Sequence, residues 1–399
     1  MIEVTEKQNC CGCTACVAVC PKNCIEMKED MEGFLYPEVD QSSCIHCNAC
    51  DRVCPILNVK ERKPFEQSAY IVQNKDVEVL RESTAGGAFT AIAKYVIHNS
   101  GVVFGVELNK NLEAHHIYVE DVTELKRFRN SKYVQSSVGG TLRKVKFFLE
   151  QGKTVCFSGT PCQIEGLKCY LKKDYENLIT VDVVCRAVPS PLIFRKYVEL
   201  QKQELEDDIK TVRFRDKYYG YKYSTMNVVT DRNHGNYHQG VESDPWLRAF
   251  FSNICDRPSC HNCHFRNQYR VSDFTIWDCF PAGRVSKELD NDKGATRVLV
   301  HTDKGRRIFE AIKDDFSYVE VKPEEAVAGA KEMQESVKPH EQRQVFFEDA
   351  NKLSGSQLFY KYFPSTFRVK AEHFVRMACY KMGIYSLAKK VFVRLTKKY

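Results

Sequence analysis

The sequence of 399 residues contains no run of about 18 apolar residues, so no membrane-spanning helix is expected. Its first residues, MIEVTEKQNCC, are charged and lack an apolar stretch, which argues against a secretory signal and for a cytoplasmic protein. There is no GxGxxG and no GxxxxGK[ST], so a standard dinucleotide or P-loop site has no support. A broad basic surface is missing too. The net charge is +7, but residues 366–399 hold nine basic side chains and one acidic, a balance of +8, and the remainder sums to −1. Basicity is therefore local to the tail, and no nucleic-acid partner is expected.

Cysteine is what the chain has in abundance. There are 19, an odd number that does not suit a closed disulfide framework and that, in a reducing compartment, points to metal or redox chemistry. Ten fall between Cys10 and Cys54, four between Cys156 and Cys185, four between Cys255 and Cys279, and Cys379 stands alone. Cys10, Cys13, Cys16, Cys20 and Pro21 read C-x2-C-x2-C-x3-C-P, and Cys44, Cys47, Cys50, Cys54 and Pro55 repeat it. This is two-cluster ferredoxin spacing, in which the last cysteine of each motif ligates the other cluster. One [4Fe–4S] cluster is expected on Cys10, Cys13, Cys16 and Cys54, the second on Cys44, Cys47, Cys50 and Cys20. Zinc sites use two C-x2-C pairs and need neither the third cysteine nor the C-P ending.

A charged linker follows at 58–66 and strands and helices then alternate to about residue 205. AYIVQN, GVVFGVEL, HHIYVE, KTVCFSG and LITVDVVC read as strands. STAGGAFTAIAKYVIH reads as a helix capped by Ser83 or Thr84, and TPCQIEGLKCYL as one with Pro161 in its first turn. Cys162 in that turn lies where free backbone N–H groups depress a thiol pKa. The expected fold is α+β: a small two-cluster ferredoxin-like domain (1–57), the linker, a larger mixed α/β flavoprotein body in two segments (67–170 and 171–340), and a basic helical tail (341–399). From Lys370 on the tail reads as two short helices broken at Gly383, with Phe374, Met382, Leu387 and Val391 apolar. Such a segment suits either peripheral contact with an anionic membrane or a cap on the body.

Several stretches together resemble the beta subunits of coenzyme F420-dependent hydrogenases and dehydrogenases: STAGGAFTAIA (83–93), SKYVQSSVG (131–139), GTPCQIEGLK (159–168), VDVVCRAVPSP (181–191), RFRDKYYGYK (213–222), RPSCHNCHFRN (257–267) and RVSDFTIWD (270–278). The resemblance implies FAD, a third [4Fe–4S] cluster, and electron exchange between a two-electron carrier (a deazaflavin or another small organic substrate) and ferredoxin or another electron-transfer protein. It implies Cys185, Cys255, Cys260 and Cys263 as the third ligand set, with Cys162 and Cys279 as alternatives to Cys185 and zinc as the competing metal. It implies a flavin site from Ser83, Thr84, Gly86, Gly87, Ser131, Lys132, Tyr133, Gln135, Ser136, Thr160, Gln163, Arg215 and Lys217, with Cys162 and Tyr133 as catalytic candidates. The chain departs from the family where C-H-G-V-P-S is replaced by Cys185-Arg186-Ala187-Val188-Pro189-Ser190 and G-D-F-W-G by Trp277-Asp278-Cys279-Phe280-Pro281. Those departures keep two further readings open: a ferredoxin-dependent reductase of an organic substrate that meets no deazaflavin, and a flavin-free electron relay.

Overall fold

The computed structural model describes residues 1–232, 237–385 and 387–388. Val391 and the basic residues from Lys389 on lie outside them. Among the described residues no helix is long and apolar enough to cross a membrane.

The N-terminal part is a ferredoxin-like unit. It has an antiparallel pair, β1 (Ile25–Glu29) and β2 (Leu35–Val39), and two short helices, α1 (Ala15–Val19) and α2 (Ala49–Arg52). Each helix begins inside a cysteine motif. In both motifs the second and fourth residues after the first cysteine are left-handed: Gly12 (φ 72°) and Thr14 (62°), then His46 (51°) and Asn48 (54°). A backbone alternating in this way turns its N–H groups inward and makes a nest for an anionic centre.

The body is one eight-stranded sheet. Its strands are β3 (Ser68–Asn74), β4 (Val102–Leu108), β5 (Ala114–Val119), β6 (Val155–Gly159), β7 (Leu178–Val183), β11 (Phe274–Asp278), β12 (Thr296–Val300) and β13 (Phe316–Val321), in the order β13-β3-β12-β11-β7-β6-β4-β5. Strands from both sides of residue 170 thus share it. β4, β6, β7 and β11 run parallel, and β12 is antiparallel to both β11 and β3. The carboxyl ends of β3, β4, β6, β7 and β11 therefore lie on one edge, where open α/β sheets bind their ligands. A separate antiparallel sheet, β8 (Ile209–Asp216), β9 (Thr225–Thr230) and β10 (Tyr237–Gln239), carries the tyrosine-rich stretch.

Helices α3 (Val77–Glu82), α4 (Ala88–His98), α5 (Thr141–Glu150), α6 (Pro161–Leu171) and α7 (Pro191–Leu205) connect the first strands. α4 begins later than the sequence reading placed it. Ser83 ends α3, and Gly87, at φ 77°, is the residue before α4. α8 (Pro245–Phe251) precedes the cysteines from Cys255 to Cys279. α9 (Asp303–Ile312), α10 (Pro323–Val327) and α11 (Lys331–Gln334) follow β12, and α12 (Arg343–Ala350), α13 (Gly355–Tyr362) and α14 (Phe367–Lys381) end the described chain. The core is shared with the N-terminal unit. Cys11, Cys13, Ala15 and Val53 pack with Phe104, Phe157, Ile164 and Leu167 of β4, β6 and α6. Phe34, just before β2, and Tyr36 within it enter a second core with Phe194, Tyr197 and Trp246.

Candidate functional site

The thiols of the N-terminal unit lie in two neighbourhoods. Cys16 faces Cys10 and Cys54, and burial beside them pushes its thiol up to about 12. Cys20, Cys44, Cys47 and Cys50 line one cavity together with Cys24. Cys24, outside the motif, bonds Cys20 at 3.4 Å. Backbone N–H groups also reach sulfur, with Ile2 N donating to Cys50 Sγ at 3.2 Å. Two sets of four thiols at this spacing fit iron–sulfur ligation, in which each sulfur binds as thiolate. Among the described residues no three such side chains converge as a single ion requires.

A third group forms at the carboxyl edge of the sheet. Cys162 opens α6 after β6, Cys185 follows β7, and Cys260 and Cys263 come from the loop before β11. Cys185 is pushed up to about 12 by burial, with Cys162 and Cys263 among its charged neighbours. Burial also raises Cys260 and Cys263, whose thiol neighbours include Cys185 and Cys162 respectively. Val188 N donates to Cys260 Sγ at 3.4 Å. Cys255 departs from expectation. It is fully buried in the apolar core around Trp246 and Phe346, and its charged neighbours are Asp256 and Arg343, not thiols. The structure brings Cys162 to the group in its place. Cys279 sits apart, against Ala282, Leu289 and Ala295.

Cys162 is raised, not depressed. The neighbouring Cys11 thiol and burial outweigh the helix start, whose Thr160 Oγ1 lies 3.1 Å from the sulfur. Cys11 packs in one cluster with Cys13 and Cys162. Cys11 is therefore the contact between the first N-terminal thiol group and the third. α6 is held there by a capping box in which Thr160 and Gln163 satisfy each other's backbone N–H groups. Gly166 lets α6 close on the N-terminal unit, because a Cβ there would meet Cys13 Sγ at 2.8 Å.

The residues expected to hold a flavin divide between two places. Gln135, Ser136, Thr160 and Gln163 surround Cys11 and Cys162. Gln163 Nε2 donates to Ser136 Oγ at 3.1 Å, and Gln135 Oε1 accepts from Arg257 at 2.9 Å. Ser83, Thr84, Gly86, Gly87, Ser131, Lys132, Tyr133, Arg215 and Lys217 lie toward the ends of β3 and β8. There Ser131 N donates to Thr84 Oγ1 at 2.7 Å. Arg215 donates to Tyr133 Oη and to Asp278 Oδ2, both at 3.0 Å, and Tyr133 stacks on Phe250 with centroids 4.6 Å apart. Among the described residues Arg215 Nη2 and Tyr221 Oη are buried here without a hydrogen-bond partner. Those orphaned groups fit a polar, acceptor-rich ligand.

Three expectations at this second place change. Lys132 Nζ donates to the carbonyls of Arg127 and Arg129, and Lys217 Nζ to those of Leu80, Ala85 and Lys293. Both Nζ groups are thus turned to backbone carbonyls, and burial lowers each ammonium to about 7. Gly86 is a close-approach glycine, since a Cβ would lie 2.3 Å from the Val72 carbonyl. In the departing WDCFP stretch Trp277 and Pro281 stand where the family has glycine; between them Asp278 accepts from Arg215, and Phe280 stacks on Tyr221 at 4.8 Å and lies under Arg215 at 5.2 Å.

Sequence reasoning missed Arg257. Its guanidinium is fully buried and donates to the Cys10 carbonyl (2.8 Å), Cys10 Sγ (3.6 Å), Gln135 Oε1 and the Leu35 carbonyl (3.0 Å), with Tyr36 beneath it at 4.2 Å. Its one sequence signal is its place just before Pro258-Ser259-Cys260.

Two family models match parts of the chain. Residues 9–57 match the 4Fe-4S dicluster domain. Residues 152–327 match the C-terminal part of the beta subunit of coenzyme F420 hydrogenase/dehydrogenase. The chain is 22% identical over 336 residues to the F subunit of the F(420)H(2) dehydrogenase of Methanosarcina mazei, covering 80% of this chain and 86% of that protein. A solved structure of the F420-reducing [NiFe] hydrogenase complex from Methanosarcina barkeri aligns with a TM-score of 0.44 at 16% identity, covering 75% of this chain and 94% of the matched one.

Proposed function

We propose, for a chain that is an iron–sulfur oxidoreductase related to coenzyme F420 hydrogenase/dehydrogenase beta subunits, that it passes electrons between a two-electron organic carrier and ferredoxin through FAD and three [4Fe–4S] clusters. The observation that carries the reading is the unbroken line of thiols. It starts at the exposed Cys47, passes the Cys10, Cys13, Cys16 and Cys54 group, crosses at Cys11, and ends at Cys162, Cys185, Cys260 and Cys263. In this reading the last four hold the third cluster, so Cys162 is a ligand and not a proton donor. FAD, when bound, supplies the exchange between two-electron and one-electron chemistry. Thr84, Ser131, Tyr133, Arg215 and Tyr221 would orient it, with Asp278 balancing the Arg215 charge.

Anaerobically purified protein tests the proposal directly. About twelve irons per chain, matching sulfide and one released FAD are expected. About eight irons without flavin would leave only the N-terminal pair and make the chain a relay.

A second reading has its own observation. A polar hollow lined by Lys60, Arg62, Glu165, Asp182 and Arg270 also includes Pro161 and His264, the chain neighbours of Cys162 and Cys263, with Arg62 paired to Glu165 and Arg270 to Asp182. A polar organic substrate held there would be reduced near those thiols without a deazaflavin, electrons arriving from ferredoxin. Substrate turnover with reduced ferredoxin in flavin-depleted protein distinguishes this route from the first.

A further inference from the structure

The last described helix presents an unusual face outward. α14 is fixed to the body by one side. Arg376 lies 3.8 Å from Glu242, His373 bonds Glu242 at 2.9 Å, and Cys379 is buried with Tyr223. The other side carries Phe367, Ala371, Phe374, Ala378 and Met382, spaced i, i+4, i+7, i+11 and i+15, which is a single helical stripe. Phe367 is 87% exposed, and Phe374 and Met382 are each 64% exposed. Leu387, beyond the turn at Gly383, is 71% exposed. Two phenylalanines in water on a helix already anchored by its opposite face contribute nothing to the fold.

Charge identifies the occupant. Lys370 and Lys381 flank the stripe and are exposed. The sequence from Thr366 to Tyr399 holds nine basic residues and one acidic, against −1 for all that precedes it. Aromatic and aliphatic residues on one face with lysines at its borders is the composition of helices that lie in a membrane interface, where rings enter the acyl boundary and cations meet anionic headgroups. We infer that the exposed α14 face, with Lys370 and Lys381 at its borders, docks this protein reversibly on an anionic bilayer. The inference stands on this helix alone and is independent of the electron-transfer reading.

Sedimentation of the full, cluster-loaded chain with vesicles tests it. Phosphatidylcholine vesicles and vesicles of phosphatidylcholine with phosphatidylglycerol are compared at low and high salt. Binding to the anionic vesicles only, weakened by salt, is expected. Phe367→Ser with Phe374→Ser should cut the partition coefficient by about ten-fold or more, since each buried ring is worth more than a factor of ten. Both positions are solvent-exposed, so unchanged visible cluster absorption in the double variant shows that the fold is kept. No sedimentation with anionic vesicles overturns the inference and leaves an acidic protein as the partner. Binding indifferent to the double variant overturns it as well. A concentration-dependent dimer abolished by the same variant, without vesicle binding, reassigns the face to a second copy of this chain.

Discussion

Arg257 shows what a single residue does in this molecule. A guanidinium with no water around it keeps its charge only because carbonyls, a sulfur and an aromatic face surround it. Reduction adds negative charge to a cluster, and a fixed cation in a low-dielectric site stabilises that state. Arg257→Gln is expected to move the potential of the cluster proposed on Cys10 to more negative values, while Arg257→Lys keeps it nearer the parent. A redox titration followed by electron paramagnetic resonance reads both, and equal potentials in all three proteins would remove the electrostatic role. Cys162 and Cys255 make a second pair of residue-scale predictions. Cys162→Ser should lose about four irons per chain, and Cys255→Ser none. The opposite pattern would restore the ligand set expected from sequence.

His301 gives the pH dependence. Gln67 Nε2 donates to its Nδ1 at 2.8 Å, and its Nε2 lies 2.8 Å from Thr275 Oγ1, so the neutral ring is bonded on both sides. Burial, with Arg270 nearby, lowers it to about 3. The folded value lies below the ordinary 6.5, so the unfolded chain binds more protons between them. Stability is full above about 6.5 and falls as pH drops, by up to about 1.4 kcal/mol per pH unit. His301→Gln should be less stable at pH 7.5 but lose less on going to pH 5.5, as read by urea unfolding; parallel acid limbs would show that the ring does not titrate this way.

Among the elements, α6 carries the most. Its existence was legible because Gly159, Thr160 and Pro161 form a strand-to-helix turn with local causes. Its role was not, because the partner of Gly166 is Cys13, more than 150 residues earlier. Gly166→Ala is a small change in a helix interior and by propensity alone would favour the helix. Here it should separate α6 from the N-terminal unit, and iron on the Cys10, Cys13, Cys16 and Cys54 group should fall while the other N-terminal cluster stays. An unchanged iron count would show that the interface yields without cost. α4 marks the opposite limit of sequence reading. Ser83 and Thr84 look like caps, but Gly86 must lie flat against Val72, and the chain enters the helix only after a left-handed Gly87. The same holds for Cys255, whose spacing to Cys260 and Cys263 resembles a motif while its side chain belongs to an apolar core.

For the whole molecule, the cysteine repeats disclosed the ferredoxin-like unit because cluster ligation is written in local spacing. How that unit sits on the body was not legible, because it depends on contacts across the chain. The charged stretch 58–66 reads as a flexible tether, yet its Arg62 pairs with Glu165 of α6 at 2.5 Å. Arg143 of α5 donates to the carbonyls of Val17, Ala18 and Cys20, and Arg343 of α12 to both carboxylate oxygens of Glu32. Cys13, Ala15 and Val53 complete the core of β4, β6 and α6. An electron relay needs this rigidity, since transfer between centres falls off with every added ångström, and a tethered unit would spend most of its time out of reach. Trypsin is therefore expected to cut after the exposed Lys60, and the two fragments should still run together on size exclusion with the iron content of the uncut chain. Release of a separate small iron–sulfur fragment would mean that the shared core is too weak to hold the unit, and that the path through Cys11 is made only part of the time.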